Sequence, residues 1–476
     1  MNPSMGDLTA IAPLLLVAGT SLLVVLVDAL AERNRTLGPV LTLAGLAAAM
    51  AFAVPALGEA PASAAFGGMI RTGGFTSFFT LVFCVSGLLT VLLSISYIEA
   101  MVPGKGEYYA LILLAVSGMI LMGAAADLVV FFIGLELMSL SFYILAGFAR
   151  GRMTSNEAAL KYFLLGAFST GFLLYGIALV YGTTGSTALA DIPLRTGGLR
   201  QPLLLLAGLA LLTIGLMFKV GAVPFHMWVP DVYEGAPTTV SAFMSTGGKA
   251  AAFSGFLIVL TPALLITQPA LRDVVAAVAA ISMVAGNMIA VAQTSVKRML
   301  AYSSIAHAGY ILAGVVAANP AGSNGVLFYL MSYTLMNAGA FGVVSLLEKP
   351  DGSMLTFDEC AGLSRRSPLV AALTAVFMFS LAGVPPFAGF FGKYYVFAGA
   401  VEAGFTWLAI VGVLMSVVSA YYYLRLVVLM YFNDQPGDQA AAVRPFGLAA
   451  VIIAAIALIV FGIFPSILLG LTARCF

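Results

Sequence analysis

Apolar positions along this chain gather into long runs, and the polar positions between them cluster with Gly and Pro into short breaks. A helix needs about 20 apolar residues to cross the hydrocarbon core of a bilayer. Fourteen runs are predicted as spans of that kind: 8–30, 39–57, 76–99, 108–126, 128–149, 157–181, 201–222, 237–262, 273–294, 298–317, 323–347, 368–401, 405–432 and 446–471. The longest connection, 348–367, holds Lys349, Asp351, Asp358, Glu359, Arg365 and Arg366, and no loop has room for an extramembrane domain. Met1–Asp7 carries no positive charge and the first run is long enough to span, so no cleaved signal is expected. The expected fold is an all-α polytopic membrane protein.

Composition agrees. Of 476 residues, 62% are apolar and 9% charged, against roughly 25% charged in an ordinary soluble domain. Twenty-one basic and 20 acidic side chains cannot cover a globule of this size in water, and the mean hydropathy is +1.07. A soluble enzyme is excluded. So is a nucleic-acid partner, because the charges nearly balance and leave no basic field for phosphates. Cys84, Cys360 and Cys475 stand far apart without a CxxC pair, which excludes a cysteine-ligated zinc or iron–sulfur centre and a disulfide framework. His226 and His307 are the two histidines, too few to supply a haem or a histidine metal site well.

Basic residues concentrate in loops after odd-numbered spans: Arg33, Arg35, Lys105, Arg150, Arg152, Lys297, Arg298, Lys349, Arg365, Arg366 and Arg444. The even-numbered loops and the two ends hold Arg71, Arg195, Arg200, Arg272 and Arg474. The positive-inside rule then places both termini away from the cytoplasm. What remains is Lys161, Lys219, Lys249, Lys393 and Arg425, all within predicted spans.

Three internal matches occur in order. Tyr143–Gly147 and Tyr310–Gly314 both read YILAG, and Lys161-Tyr-Phe163 aligns with Phe328-Tyr-Leu330 at the same offset. Gly221-Ala-Val-Pro224-Phe225 resembles Gly383-Val-Pro-Pro386-Phe387 at nearly that offset. The offset carries about five spans, an odd number, so equivalent helices run in opposite directions, as in the inverted repeats of secondary transporters. Spans four to eight would pair with nine to thirteen. The organisation expected is a three-helix segment (1–107), a first repeat (108–262), a second, inverted repeat (273–432) and a last helix (446–476). The third match falls on two interrupted helices: Pro224 and Pro230 break the end of the seventh span, Pro385 and Pro386 the middle of the twelfth. A plain proline kink is the simpler reading, but each break has a lysine within two turns.

A lysine or an acid at a helix centre costs about 2.5–3.5 kcal/mol, so Lys219, Lys249, Lys393 and Glu136 together cost on the order of 10 kcal/mol before pairing. Glu136 is the acidic residue well inside a span, and Ser139 and Tyr143 continue its helix face at i+3 and i+7. Lys219 lies about a turn before the first break, Lys249 near mid-membrane, and Lys393 seven residues beyond Pro386. The P-loop spacing fails around both Lys249 and Lys393. Bland roles stand beside these: Glu136 as a neutral helix–helix contact, Lys219 as a snorkelling side chain. Lys161 has Glu157 at i−4, so an ion pair at a helix start and a transport role are both open. His307 is either a proton relay or a hydrogen-bonded core residue. His226 lines a mouth or fixes a loop. Arg425 and Asp28 lie near span ends and read as interfacial. Burial weakens a lysine's hold on its proton and a nearby carboxylate strengthens it, so a row of such groups can load and release protons. The absence of a carboxylate cluster favours protons over sodium.

At these residues the sequence resembles the antiporter-like membrane subunits of respiratory NADH:quinone oxidoreductase, complex I. The likeness is carried by Gly134-Leu-Glu136, Phe218-Lys219, Val223-Pro-Phe-His-Met-Trp-Val-Pro-Asp-Val-Tyr-Glu-Gly-Ala-Pro-Thr-Thr239, Val296-Lys-Arg-Met-Leu-Ala-Tyr-Ser-Ser-Ile-Ala-His307 and Gly383-Val-Pro-Pro-Phe-Ala-Gly-Phe-Phe-Gly-Lys393. It extends over essentially the full length. Within the family the chain is most similar to the bacterial subunit N branch, by its fourteen spans without a long lateral helix, by Lys393 in the twelfth, and by Ala-His307-Ala-Gly-Tyr310. The resemblance implies proton translocation driven by quinone reduction elsewhere in the complex. It implies Glu136 and Lys219 as a modulating ion pair, Lys249 as central relay and Lys393 as terminal proton-releasing group. It further implies neighbouring membrane subunits as partners, a bacterial inner-membrane location, no cofactor bound by this chain, and FMN, iron–sulfur clusters and quinone held by other subunits. Two rival functions stand: a subunit of a multi-subunit sodium/proton antiporter, and a structural spacer whose lysines only lock helices.

Overall fold

The computed structural model describes residues 4–30, 36–59, 62–102, 106–195, 202–260, 269–348, 354–433 and 444–475. The loop residues Arg33, Arg35, Lys105, Arg200, Lys349 and Asp351 fall outside them. Among the described residues, 13 helices are long and apolar enough to cross a membrane. Numbered by predicted span, the helices are α1 (Ala12–Leu30), α2 (Leu37–Ala53), α3 (Gly74–Met101), α4 (Glu107–Ala124), α5 (Leu128–Ala146), α6 (Met153–Thr184), α7a (Pro202–Val220) and α7b (Trp228–Gly235). There follow α8 (Thr238–Val259), α9 (Pro269–Val291), α10 (Val296–Ala317), α11 (Pro320–Leu347), α12a (Pro368–Ala382), α12b (Ala388–Glu402), α13 (Thr406–Phe432) and α14 (Pro445–Ile463). The two halves of the twelfth run, α12a and α12b, have 15 residues each, so neither alone has the length of a span. A two-stranded ribbon, Ala62–Ala64 with Ile70–Thr72, is the β-structure among the described residues.

Helix starts follow their capping residues. The Asp127 carboxylate accepts from Val129 N at 2.7 Å to open α5, and the Ser295 hydroxyl accepts from Arg298 N at 3.1 Å to open α10. Asn319 caps α11 through Gly322 N, with Pro320 at the first helical position, where its missing N–H is not needed. The interior is built on α8, α10 and α11, nearly every residue of which is buried. Around them α1, α6 and α13 turn Leu22, Leu26, Leu160, Phe168 and Val417 outward, the apolar exterior that lipid favours.

Both predicted breaks are present and share one geometry. α7a ends at Gly221 (φ +72°), where Gly221 N bonds Phe218 O and Ala222 N bonds Met217 O. α12a ends at Gly383 (φ +87°), where Gly383 N bonds Ser380 O and Val384 N bonds Phe379 O. Each is a Schellman cap, with glycine in the left-handed conformation other residues avoid. The last carbonyls are thereby largely satisfied by backbone; Phe218 O also accepts from the Trp228 indole at 3.0 Å. Pro230, assigned to the first break by sequence, instead lies in the first turn of α7b, where proline is tolerated. The break itself is Gly221 to Met227.

Packing partners recur in pairs. α4 packs on α5 as α9 packs on α10; α6 packs on both α7a and α7b as α11 packs on both α12a and α12b; α4 meets α8 as α9 meets α13. Each pair is five spans from its counterpart, the interval of the sequence matches.

Candidate functional site

Buried polar groups form a row through this apolar interior. At one end Glu136 of α5 is half-buried and accepts from the Thr170 hydroxyl of α6 at 2.9 Å. One turn along α5, Ser139 accepts from the Lys219 ammonium at 2.8 Å, and the Tyr143 ring lies 5.8 Å from that ammonium. The i+3 and i+7 positions read from sequence do form one face. Among the described residues Glu136 and Lys219 make no direct ion pair; Ser139 and Thr170 hold them separately.

Lys249 follows a single π-turn, Met244–Gly248, that interrupts α8. Such turns shift the helix register by one residue and cluster at functional sites. The Lys249 ammonium donates to both the carbonyl and the hydroxyl of Ser304 on α10, at 2.6 and 2.5 Å. His307, one turn further along α10, has its Nδ1 2.7 Å from the Tyr329 hydroxyl and its Nε2 3.2 Å from that of Tyr423. The Tyr423 hydroxyl also bonds Ser303. The His307 ring packs 5.1 Å from Tyr333, whose ring Lys249 approaches at 6.0 Å, and 5.5 Å from Tyr310, whose ring Lys393 approaches at 5.0 Å.

Lys393, on α12b, reaches back across the second break to the carbonyl of Ala382 at 2.9 Å and to the Ser416 hydroxyl of α13 at 2.6 Å. Its ammonium is 5.0 Å from the centre of the Tyr310 ring. A groove of about 770 Å³, lined mainly by apolar residues of α12b and α13, opens beside it. Tyr310 is held in turn by Asn287 at 2.9 Å, which also accepts from Tyr422.

Lys161 and His226 stand apart from this row. Lys161 is half-exposed and pairs with Glu157 and Asp231, both at 2.8 Å, while Arg298 takes the other Asp231 oxygen at 3.0 Å. Burial opposes ionisation of Asp231, but Lys161 and Arg298 outweigh it and hold its pKa below the usual carboxylate value. His226 lies in the first break, with a buried Nδ1 that has no hydrogen-bond partner among the described residues; burial lowers its pKa against a smaller opposing effect of the Pro224 carbonyl. Arg425, read as interfacial, lies 4.7 Å from the centre of the Phe357 ring. The three cysteines are free and buried.

Sequence reading missed Ser304, Ser416, Tyr329, Tyr423 and Asn287. Serine in a helix usually bonds its own backbone, so spacing alone does not single it out. Lys297, counted among the loop charges, is buried in the first turn of α10.

Residues 125–419 match the family model described as NADH:quinone oxidoreductase/Mrp antiporter, transmembrane. A subunit N of NADH-quinone oxidoreductase from Chloroherpeton thalassium is 46% identical over 472 residues, covering 98% of each chain. This chain belongs to the subunit N family of NADH-quinone oxidoreductases. A second subunit N, from Salinibacter ruber, is 47% identical over 96% of this chain and 93% of its own. Among solved structures, a chain of respiratory complex I from Thermus thermophilus with bound aureothin matches with TM-score 0.83 and 37% identity, over 97% of this chain and 99% of that one. A chain of the Mrp complex from Dietzia reaches TM-score 0.85 at 22% identity, over 98% and 97%. The fold is therefore common to both kinds of complex, and sequence identity is what sets subunit N apart.

Proposed function

We propose that this subunit N chain carries protons across the bacterial inner membrane through Glu136, Lys219, Lys249, His307 and Lys393, driven by quinone reduction in other subunits of NADH:quinone oxidoreductase. The observation that carries the reading is that Lys219, Lys249 and Lys393 are each buried in an apolar interior and each hydrogen-bonded to a hydroxyl. Each lysine ammonium rests on a serine from a neighbouring helix: Ser139, Ser304, Ser416. These contacts stabilise the charged form without cancelling it, as a full ion pair would. Such a cation responds to a change of charge next to it, and Glu136, held by Thr170 a turn from Ser139, is placed to supply one. Water bridges the longer steps. His307 with Tyr329 and Tyr423 joins Lys249 to Lys393. Lys161, in its exposed ion pairs, contributes through helix α6 rather than as a carrier, and His226 through the break.

On this reading both termini face the periplasm and residues 108–262 and 273–432 are inverted repeats, which the paired helix contacts and the two matching caps support. The chain binds no cofactor itself; FMN, iron–sulfur clusters and quinone belong to other subunits, and its partners are the neighbouring membrane subunits and lipid. The fold match to the Mrp complex favours a second reading, a subunit of a sodium/proton antiporter. Purification from the membrane separates the two: flavin and iron–sulfur subunits in the isolated complex support the first, and their absence the second. A third possibility, a spacer, is tested by Lys219→Ala and Lys249→Ala. The relay predicts intact assembly with fewer protons moved per electron; a spacer predicts poor assembly with unchanged pumping per assembled complex.

A further inference from the structure

A buried carboxylate and a buried lysine line one cavity at the end of the bundle where the loops after odd-numbered spans emerge, and the relay above does not use them. Glu348 caps the C-terminus of α11, its side chain 10% exposed. Its carboxylate accepts from Tyr97 of α3 at 2.7 Å, from Thr238 of α8 at 2.5 Å and from Arg152, at the start of α6, at 3.0 Å. Lys297 of α10, buried and donating to Ala236 O at 2.7 Å, lines the same small cavity as Glu348, whose direct ion pair is with Arg152. Burial opposes ionisation of Glu348, but Lys297, the two hydroxyls and Arg152 hold its pKa below the ordinary value. Two further charges complete the surroundings: Glu234 of α7b, which accepts from Ser295, and Arg444, over the Tyr97 ring. A cavity of about 30 Å³ lies among Arg152, Glu234, Thr238, Lys297 and Glu348. That is space for a water molecule with polar partners around it.

Stability alone is a poor reason for such a cluster, because a buried ion pair contributes little more than well-packed apolar residues would. Its position supplies a better one. Lys297 and Ser304 are two turns apart on one face of α10, and Ser304 holds Lys249. The hydroxyls of Tyr233 and Tyr333 also lie against Ser304, and the Tyr333 ring is 6.0 Å from the Lys249 ammonium. α8 likewise runs from Thr238, on Glu348, down to Lys249.

We propose that the Glu348–Lys297 pair is the port through which protons reach Lys249 from the loop face of the membrane. Lys297 passes an Nζ proton to water leading inward along Tyr233 and Ser304, and the neutral amine takes a proton from water in the Glu348 cavity. One proton enters for each that leaves. Glu348 stays ionised throughout and draws the incoming proton to Lys297, which makes it a positioning residue.

This rests on the relay through Lys249, so the test uses both sites in the complete complex in sealed vesicles. Proton uptake per NADH oxidised is measured for Glu348→Gln, Lys297→Met, Lys249→Met and the Glu348→Gln/Lys249→Met pair, with subunit content checked. The port predicts that Glu348→Gln and Lys297→Met lower the ratio to that of Lys249→Met, that the double variant falls no further, and that Glu348→Asp restores most of the loss. Full pumping in Glu348→Gln beside a loss in Lys249→Met overturns the port alone. Full pumping in Lys249→Met overturns the relay reading itself. Failure of both Glu348→Gln and Lys297→Met to assemble, with no rescue by Glu348→Asp, shows a structural latch and also overturns the port.

Discussion

Lys249 gives two hydrogen bonds to a single residue, Ser304, one to its carbonyl at 2.6 Å and one to its hydroxyl at 2.5 Å. The carbonyl contact survives any side-chain change at 304; the hydroxyl contact does not. A hydrogen bond to a charged group is worth about 1.5–3 kcal/mol. Ser304→Ala should therefore weaken the protonated lysine roughly 10- to 100-fold. Proton uptake per NADH should fall with the complex assembled, and Ser304→Thr, which keeps the hydroxyl, should stay near the parent value.

His307 joins two hydroxyls from different helices, Tyr329 of α11 and Tyr423 of α13. His307→Phe keeps an aromatic ring and removes both nitrogens, leaving the buried Tyr329 hydroxyl without its partner while Tyr423 keeps Ser303. Such a group costs about 1–3 kcal/mol, so the thermal midpoint of the complex should drop. If the ring is also on the proton path, uptake per electron falls as well, and His307→Gln recovers part of it. A lowered midpoint with unchanged uptake would leave His307 a core residue.

Gly383 combines a left-handed backbone with a neighbour that matters. A Cβ there would meet Lys393 Cδ at 3.0 Å and its Nζ at 3.3 Å, and φ is +87°. Gly383→Ala should destabilise by about 1–2 kcal/mol from backbone conformation and also displace the lysine from Ala382 and Ser416. Gly404 has φ +85° and open space around it, so Gly404→Ala is the control. Both variants should melt earlier; only Gly383→Ala should pump fewer protons per electron.

Asp231 gives a pH dependence. Its folded pKa lies below the ordinary value because Lys161 and Arg298 outweigh its burial. Its contribution to stability is therefore complete above the unfolded pKa, about 3.9, and is lost as pH falls through the lower folded value. The thermal midpoint of the isolated complex should carry no Asp231 contribution to its slope above about pH 5. Below pH 4 the midpoint should fall less steeply in Asp231→Asn than in the parent.

Much of this fold was legible because lipid imposes a simple demand. An apolar run of about 20 residues is needed to cross, so most span positions could be read directly, along with the Gly-Pro breaks at Gly221 and Gly383. Helix α6 starts at Met153, four residues ahead of its apolar run, because Thr154, Ser155 and Asn156 continue it as polar residues beyond the apolar core. The buried lysines stood out because charge in lipid is costly. Their partners did not: Ser304 and Ser416 look like any helical serine until another helix brings Lys249 or Lys393 to them. Lys297 and Glu348 were hidden for the opposite reason. They sit at helix ends, where sequence suggests exposure, and only the packing of α3, α6, α8, α10 and α11 buries them.

The most direct measurement is proton pumping alongside NADH:quinone turnover in Glu136→Gln, with assembly of the complex verified. Glutamine keeps the acceptor for Thr170 and removes the charge from the end of the row. A charge-driven relay predicts an assembled complex that still oxidises NADH and moves fewer protons per electron. Parent-level pumping at parent-level turnover would contradict it.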